Sequence, residues 1–135
     1  MFKISPIQDE TTKSEYAKAC NTVSIPGYFA YSMINQETGE LMGMSQFDIN
    51  GEEAYISDLK EVPDKNDFEA MFILGRATMN FIDMCGTHKC RASDGSAPRR
   101  LLIAIGFKQQ DNGEYTCDMT GMFDGHCDGK TVSLD

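Results

Sequence analysis

Residues 62–77 read VPDKNDFEAMFILGRA, from Val62 to Ala77, and the fold is decided by what this run is and what it joins. From Asp67 to Cys85 the residue types predict one long helix. Phe68, Met71, Phe72, Met79, Ile82 and Cys85 form an apolar face, and Ile73, Leu74, Ala77 and Phe81 make the opposite face apolar too. A helix that is apolar nearly all round is covered on most sides. Gly75 in its middle costs about 1 kcal/mol relative to alanine, which implies another element pressed close at that point. Gly86 supplies a C-terminal stop. Asp67 and Glu69 place carboxylates in the first turn, where they interact favourably with the helix dipole.

Working outward, Glu53–Lys60 predicts the strand that feeds this helix, and Asn50-Gly51 is a strong hairpin signal joining it to a strand over Leu41–Ile49. A turn at residues 37–40 leads back to an aromatic-rich strand over Tyr28–Asn35, entered through Pro26-Gly27. Thr11 or Thr12 is expected to cap a helix running to about Asn21, with Glu15 completing a capping box to Thr12. Phe2–Ile4 is a short strand. Downstream, the pattern predicts a strand over His88–Ser93, a turn at Asp94-Gly95 and a helix from near Ser96 to just before Gly106. A hairpin of Phe107–Gln110 and Glu114–Met122 around Asp111-Asn112-Gly113 closes the chain. The order β-α-β-β-β-α-β-α-β-β gives an α/β (α+β mixed sheet) fold with helices on its faces. Residues 1–123 form one domain, followed by a Gly/Asp-rich tail over 124–135.

The chain has 135 residues, 41% hydrophobic and 24% charged, as expected of an ordinary globular domain. Its net charge is −9, and the excess of acid lies in the first half: residues 1–67 carry 12 acidic and 5 basic side chains, residues 68–135 carry 9 and 7. That field repels nucleic acid and anionic membranes and favours a cationic partner. No run approaches the length of a membrane span. The start, MFKISPIQDE, lacks the apolar core of a signal peptide, so a cytoplasmic location is expected. Five cysteines without a CxxC pair read as reduced thiols.

Residues 62–77 also align without a gap on the strand exit, phosphate loop and helix start of the GNAT superfamily N-acetyltransferases. The run resembles their pattern V-P-E-x-R-G-x-G-x-G-x-x-L-x-R-A. Val62, Pro63, Leu74, Arg76 and Ala77 fall where the pattern wants them, and Asp64 replaces its acid. Asn66 stands at the Arg/Gln position, Glu69 and Met71 stand where the two glycines should be, and Asp67 is a further position of this degenerate pyrophosphate loop. The resemblance covers almost the whole element order and implies a GNAT-like acyl-CoA N-acyltransferase fold, with one helix near the start instead of two. It further implies a cofactor pyrophosphate at the head of the long helix, held by bare backbone N–H groups, in a cleft between strands 53–60 and 88–93. Here that head carries carboxylates and bulk. A general base taken from the central strand would be Glu53 or Asp58. Family members often end the last helix in N-x-x-A-x-x-L-Y-x-x-x-G-F. Counting back from Gly106-Phe107 puts Leu102 at the position of the tyrosine acid, Leu101 at the Leu and Gly95 at the Asn. Leucine cannot donate a proton.

The expectation is therefore a GNAT-like protein with impaired or lost acyl-CoA chemistry and a binding role towards an unidentified protein or small molecule. No cofactor is expected under that reading. The alternative is an active N-acetyltransferase that uses acetyl-CoA with a non-standard pyrophosphate loop. Sheet edges leave a homodimer open. Cys85-x-x-His88-x-Cys90, with His126-Cys127, has soft ligands at short spacing, but nothing pairs them as a zinc site would, so buried cysteines are the expectation and no metal. Arg91, Arg99 and Arg100 make the basic cluster, read as a solvated helix start. Met33, Met42, Met44, Met119 and Met122 are expected to fill the core.

Overall fold

The computed structural model describes residues 1–123, and the expected tail over 124–135 lies outside the described residues. The predicted order holds: β1 (Phe2–Pro6), α1 (Glu10–Ala19), β2 (Phe29–Asn35), β3 (Leu41–Asn50), β4 (Glu53–Glu61), α2 (Phe68–Met84), β5 (Lys89–Ala92), α3 (Arg99–Ile105), β6 (Lys108–Gln109) and β7 (Tyr115–Asp118). One seven-stranded sheet runs β1-β2-β3-β4-β5-β7-β6, with every neighbouring pair antiparallel except β4 and β5. That single parallel pair follows from α2, which carries the chain back to the starting end of the sheet before β5 begins.

The two faces have separate cores. On one, α2 and α3 pack over Phe47, Ala54, Ile56, Leu59, Cys90 and Ala92. On the other, Ala17 of α1 and its C-cap Cys20 meet Ala30 and Met44. Met33, Met42, Met44 and Met119 are buried, so the methionines fill the core as expected. Gly75 explains itself: a Cβ there would stand 3.0 Å from the Ile105 Cδ1 and 3.1 Å from the Leu59 Cδ2, so α3 and β4 both press on α2 at that point.

Several boundaries differ from the sequence reading, and the closing strand, expected to reach Met122, ends at Asp118, where the Asp118 side chain accepts the Thr120 N–H and the chain turns. Asp9, and neither threonine, caps α1: its carboxylate accepts the Thr12 N–H at 2.8 Å, and that bond holds the Asp9 carboxyl below its ordinary range. The helix ends at Ala19 because Asn21 takes a left-handed conformation (φ 57°) and the Thr22 N–H turns back to the Ala17 carbonyl. The last helix begins at Arg99, three residues later than expected, because Ser96 is engaged with β4 and the extended Pro98 (ψ 139°) precedes the first turn. Among the described residues no helix is long and apolar enough to cross a membrane.

Reassigning the cap has a measurable consequence. Asp9→Ala is expected to lower stability by about 1 kcal/mol, whereas Thr11→Ala stays within about 0.5 kcal/mol of the parent. Urea unfolding followed by circular dichroism measures both.

Candidate functional site

The site is set by where two strands part. β4 and β5 pair from Glu53 opposite Lys89 to Ile56 opposite Ala92, after which β5 stops and β4 continues to Glu61. At the same level β4 carries a one-residue bulge, since Gln46 of β3 faces Asp58 while Phe47 faces Ile56. The extra residue, Ser57, breaks the alternation of the strand. Ile56 and Leu59, three apart, therefore both enter the core under α2, and Asp58 turns to the α1 face. Without the bulge Asp58 would follow Ala54 and Ile56 into the apolar side.

The parting opens a cleft of about 620 Å³ between the end of β4, the head of α2 and the start of α3, walled by Leu59, Phe68, Met71, Ala97 and Leu101. The protein partly closes it from within. The Leu59 N–H donates to the Ser96 carbonyl at 2.8 Å, so the chain leaving β5 takes the strand edge that β5 itself gives up. The Lys60 ammonium donates to the neighbouring Gly95 carbonyl. Arg100 lies with its guanidinium carbon 4.2 Å above the centre of the Phe68 ring, a cation–π contact at the mouth of the cleft.

At the head of α2 the first N–H groups have carboxylate partners from the same chain. Asp67 is the N-cap and accepts the Ala70 N–H at 3.0 Å. The Glu61 carboxylate accepts the Asp67 N–H at 2.6 Å. Two negative groups therefore sit where a helix N-terminus would otherwise offer donors to an anion. The loop between them holds Asp64 and Asn66 at φ 79° and 50°, left-handed values that non-glycine residues seldom adopt. Val62 is half-buried against the α1-side core, and its N–H donates to the Met42 carbonyl. Glu69 is exposed on the first turn.

Met71 is 3% exposed and packs into bare backbone on the neighbouring strand. A Cβ at Gly43 of β3 would stand 2.7 Å from the Met71 Sδ and 2.7 Å from the Lys60 carbonyl oxygen. The glycine that the loop lacks thus has a counterpart in β3, and the room it makes is filled by methionine. Leu102, at the position of the expected proton donor, is fully buried in the core beside Leu101.

The two candidate bases are far apart and differently engaged. Glu53 lies at the start of β4, about 15 Å from Asp58 by strand rise. It accepts the Arg91 Nε–H at 2.7 Å, and Arg91 also donates to Glu114 at 2.8 Å. The bond to Glu53 is the chief reason the Arg91 pKa rises further. Asp58 is 6% exposed, and both of its carboxylate oxygens accept hydrogen bonds. Its Oδ1 accepts the Thr22 hydroxyl at 2.6 Å, and its Oδ2 accepts the Gln46 amide and the Ser57 hydroxyl, each at 2.9 Å. Gln46 in turn accepts the Ile25 N–H and donates to the Val23 carbonyl. Asp58 thus fastens the segment after α1 across the sheet, and no basic side chain is among these partners.

The remaining candidates disperse. Arg99 donates to Gln109, so with Arg91 and Arg100 held elsewhere the three arginines form no patch. Cys90 is buried, but Cys85 is exposed, contrary to expectation, because it caps the end of α2 beyond the packed turns. His88 bonds to Asp83 through Nδ1. Among the described residues no three His, Cys, Asp or Glu side chains are grouped to hold a metal, and His126 and Cys127 lie outside them. Burial pushes the Cys20 thiol up to about 12 and raises those of Cys90 and Cys117 as well.

No family model and no curated protein sequence matches the chain. Solved structures do. The ribosomal-protein-S18-alanine N-acetyltransferase from Escherichia coli superposes with a TM-score of 0.67 over 88% of this chain and 94% of that one, at 11% identity. The NatC complex bound to Gag peptide and CoA gives 0.66 over 87% and 98% at 12% identity. A GNAT family acetyltransferase from Elizabethkingia anophelis with acetyl-CoA bound gives 0.63 over 87% and 97% at 11% identity. The protein has the GNAT acyl-CoA N-acyltransferase fold.

Two measurements test the site as described. Gly43→Ala is expected to destabilise by about 1–3 kcal/mol, because a backbone oxygen and a buried sulfur both stand in the way of the new methyl; thermal unfolding reads it. Alkylation of the native protein at pH 8, followed by peptide mass spectrometry, is expected to label Cys85 ahead of Cys20, Cys90 and Cys117.

Proposed function

We propose that this is a GNAT-fold binding protein in which the acyl-CoA chemistry of the fold has been given up. The observation that carries this reading is the Glu61 carboxylate on the Asp67 N–H, with Asp67 capping Ala70. A pyrophosphate arriving at the head of α2 would meet two fixed carboxylates, and unlike charges in water it would meet them in a partly buried loop, where repulsion is screened less. Three further features agree. Met71 occupies the space beside Gly43, Leu102 has no proton to give, and Asp58 would have to shed three hydrogen bonds before acting as a base. The four described cysteines are free thiols, in keeping with a reducing cytoplasm.

A second reading has one observation in its favour. The cleft still holds about 620 Å³, with Lys60 and Arg100 at its rim. An N-acetyltransferase that gripped acetyl-CoA through those cations, and took its base from elsewhere, would use the same space.

Calorimetric titration with acetyl-CoA separates the two. The binding reading predicts no saturable heat up to millimolar ligand. Saturation in the micromolar range would overturn it and favour the enzyme.

A further inference from the structure

A second cavity, of about 670 Å³, lies at the other end of α2 from the cleft and shares no lining residue with it. Phe68 and Phe81 mark the two ends and are about 20 Å apart along the helix. The wall of this cavity is aromatic. Phe29, Tyr31, Phe47 and Phe81 form one cluster, with ring centres 5.5–6.2 Å apart, two pairs stacked and three edge-on. Tyr31 and Phe47 are buried beneath, but Phe29 is 48% exposed and Met84 beside it 72%. A large aromatic ring and a methionine left this open at the lip of a cavity are a cost in water that an apolar occupant would remove.

The rim is negative. Asp9 and Glu10 line it, and the hydrogen bond from Thr12 lowers the Asp9 carboxyl from its ordinary range. The ammonium lining the cavity, Lys13, is 2% exposed, donates to the Ile25 carbonyl at 2.6 Å and the Tyr28 carbonyl at 2.9 Å, and stands 3.6 Å from the Glu10 carboxylate, which it neutralises in part. The last turn of α2, which supplies Phe81 and Met84, contains no basic side chain, so the negative end of the helix dipole is unmatched from its own sequence. The half of the chain that builds most of this wall carries 12 acidic and 5 basic side chains.

Apolar ring faces beneath two carboxylates and a helix C-terminus make a receptor for a charged organic group of one sign. We infer that this cavity binds an organic cation with an apolar body, of the size of a substituted ammonium bearing one ring. The cationic head sits over the Phe29 ring and within reach of Glu10, and the apolar body rests against Phe81 and Met84. Ring faces attract such a head by their quadrupole, and the carboxylates select it against a neutral or anionic analogue. A second copy of this chain is a poor occupant, since each copy carries a net charge of −9. The site does not depend on whether acyl-CoA binds in the other cleft, because a quaternary ammonium has no N–H to be acylated.

The test is an NMR titration of ¹⁵N-labelled protein with benzyltrimethylammonium, compared with benzyl alcohol and phenylacetate. The expected result is saturable shifts at residues 7–10, 28–31 and 81–84, with the cation bound about tenfold more tightly than the alcohol and the anion not bound. Phe29→Ala and Glu10→Gln should each weaken the cation several-fold; both positions are exposed, and the spectrum itself reports whether the fold is kept. Equal affinity for cation and alcohol overturns the inference. So does an absence of saturation at ten-millimolar-range ligand, or a set of shifts confined to Phe68, Met71 and Arg100.

Discussion

The extra residue in β4 at Ser57 governs what the rest of the sheet can do. It lets β4 send Ile56 and Leu59 into the same core while turning Asp58 to the opposite face, and it falls where β5 stops pairing. A strand that loses its neighbour exposes N–H and C=O groups that need partners. Here the Ser96 carbonyl, on the chain leaving β5, meets the Leu59 N–H and restores one such bond. The same bulge hands Asp58 to Thr22, Gln46 and Ser57, so one irregularity both opens the cleft on one face and ties down the segment after α1 on the other.

The head of α2 completes that pattern of internal satisfaction. Any helix start has four unpaired N–H groups to place. A glycine-rich loop would leave them to a ligand, but Glu61 and Asp67 take two of them here, and Met71 fills the room beside Gly43. Each substitution by itself is a modest local change. Together they move the donors, the space and the sign of the charge in one direction, away from an anionic cofactor.

Much of this was legible in the sequence, and the reasons are local. The element order followed from turn chemistry at Asn50-Gly51 and Gly86 and from the apolar wrap of residues 68–84. Gly75 announced a close contact because glycine in a helix interior is otherwise costly. The departures at Glu69, Met71 and Leu102 could be read by counting. What could not be read depends on register across strands. Glu61 looks like one more acid at a strand end, and only the fold brings it to the Asp67 N–H. A strict alternation from Ala54 would send Asp58 into the apolar face, and only the bulge, which no residue type announces, turns it to the other side of the sheet. The aromatic cavity is assembled from β2, β3 and the far end of α2, segments up to about fifty residues apart, so no sequence window contains it. Asp9 and Thr12 are both good cap types, and Thr12 with Glu15 fits the capping-box pattern, so residue type alone does not single out Asp9.

The central claim is that the cofactor end of this fold is closed by the chain's own groups, and amide hydrogen exchange in the ligand-free protein tests it most directly. If the Ser96 carbonyl and the Glu61 carboxylate hold the Leu59 and Asp67 N–H groups, both amides exchange far more slowly than in an unstructured peptide, and Glu61→Ala releases Asp67 while leaving Leu59 protected. Exchange of both amides at the unprotected rate in the parent protein would mean an open, ligand-ready cleft and would contradict the account.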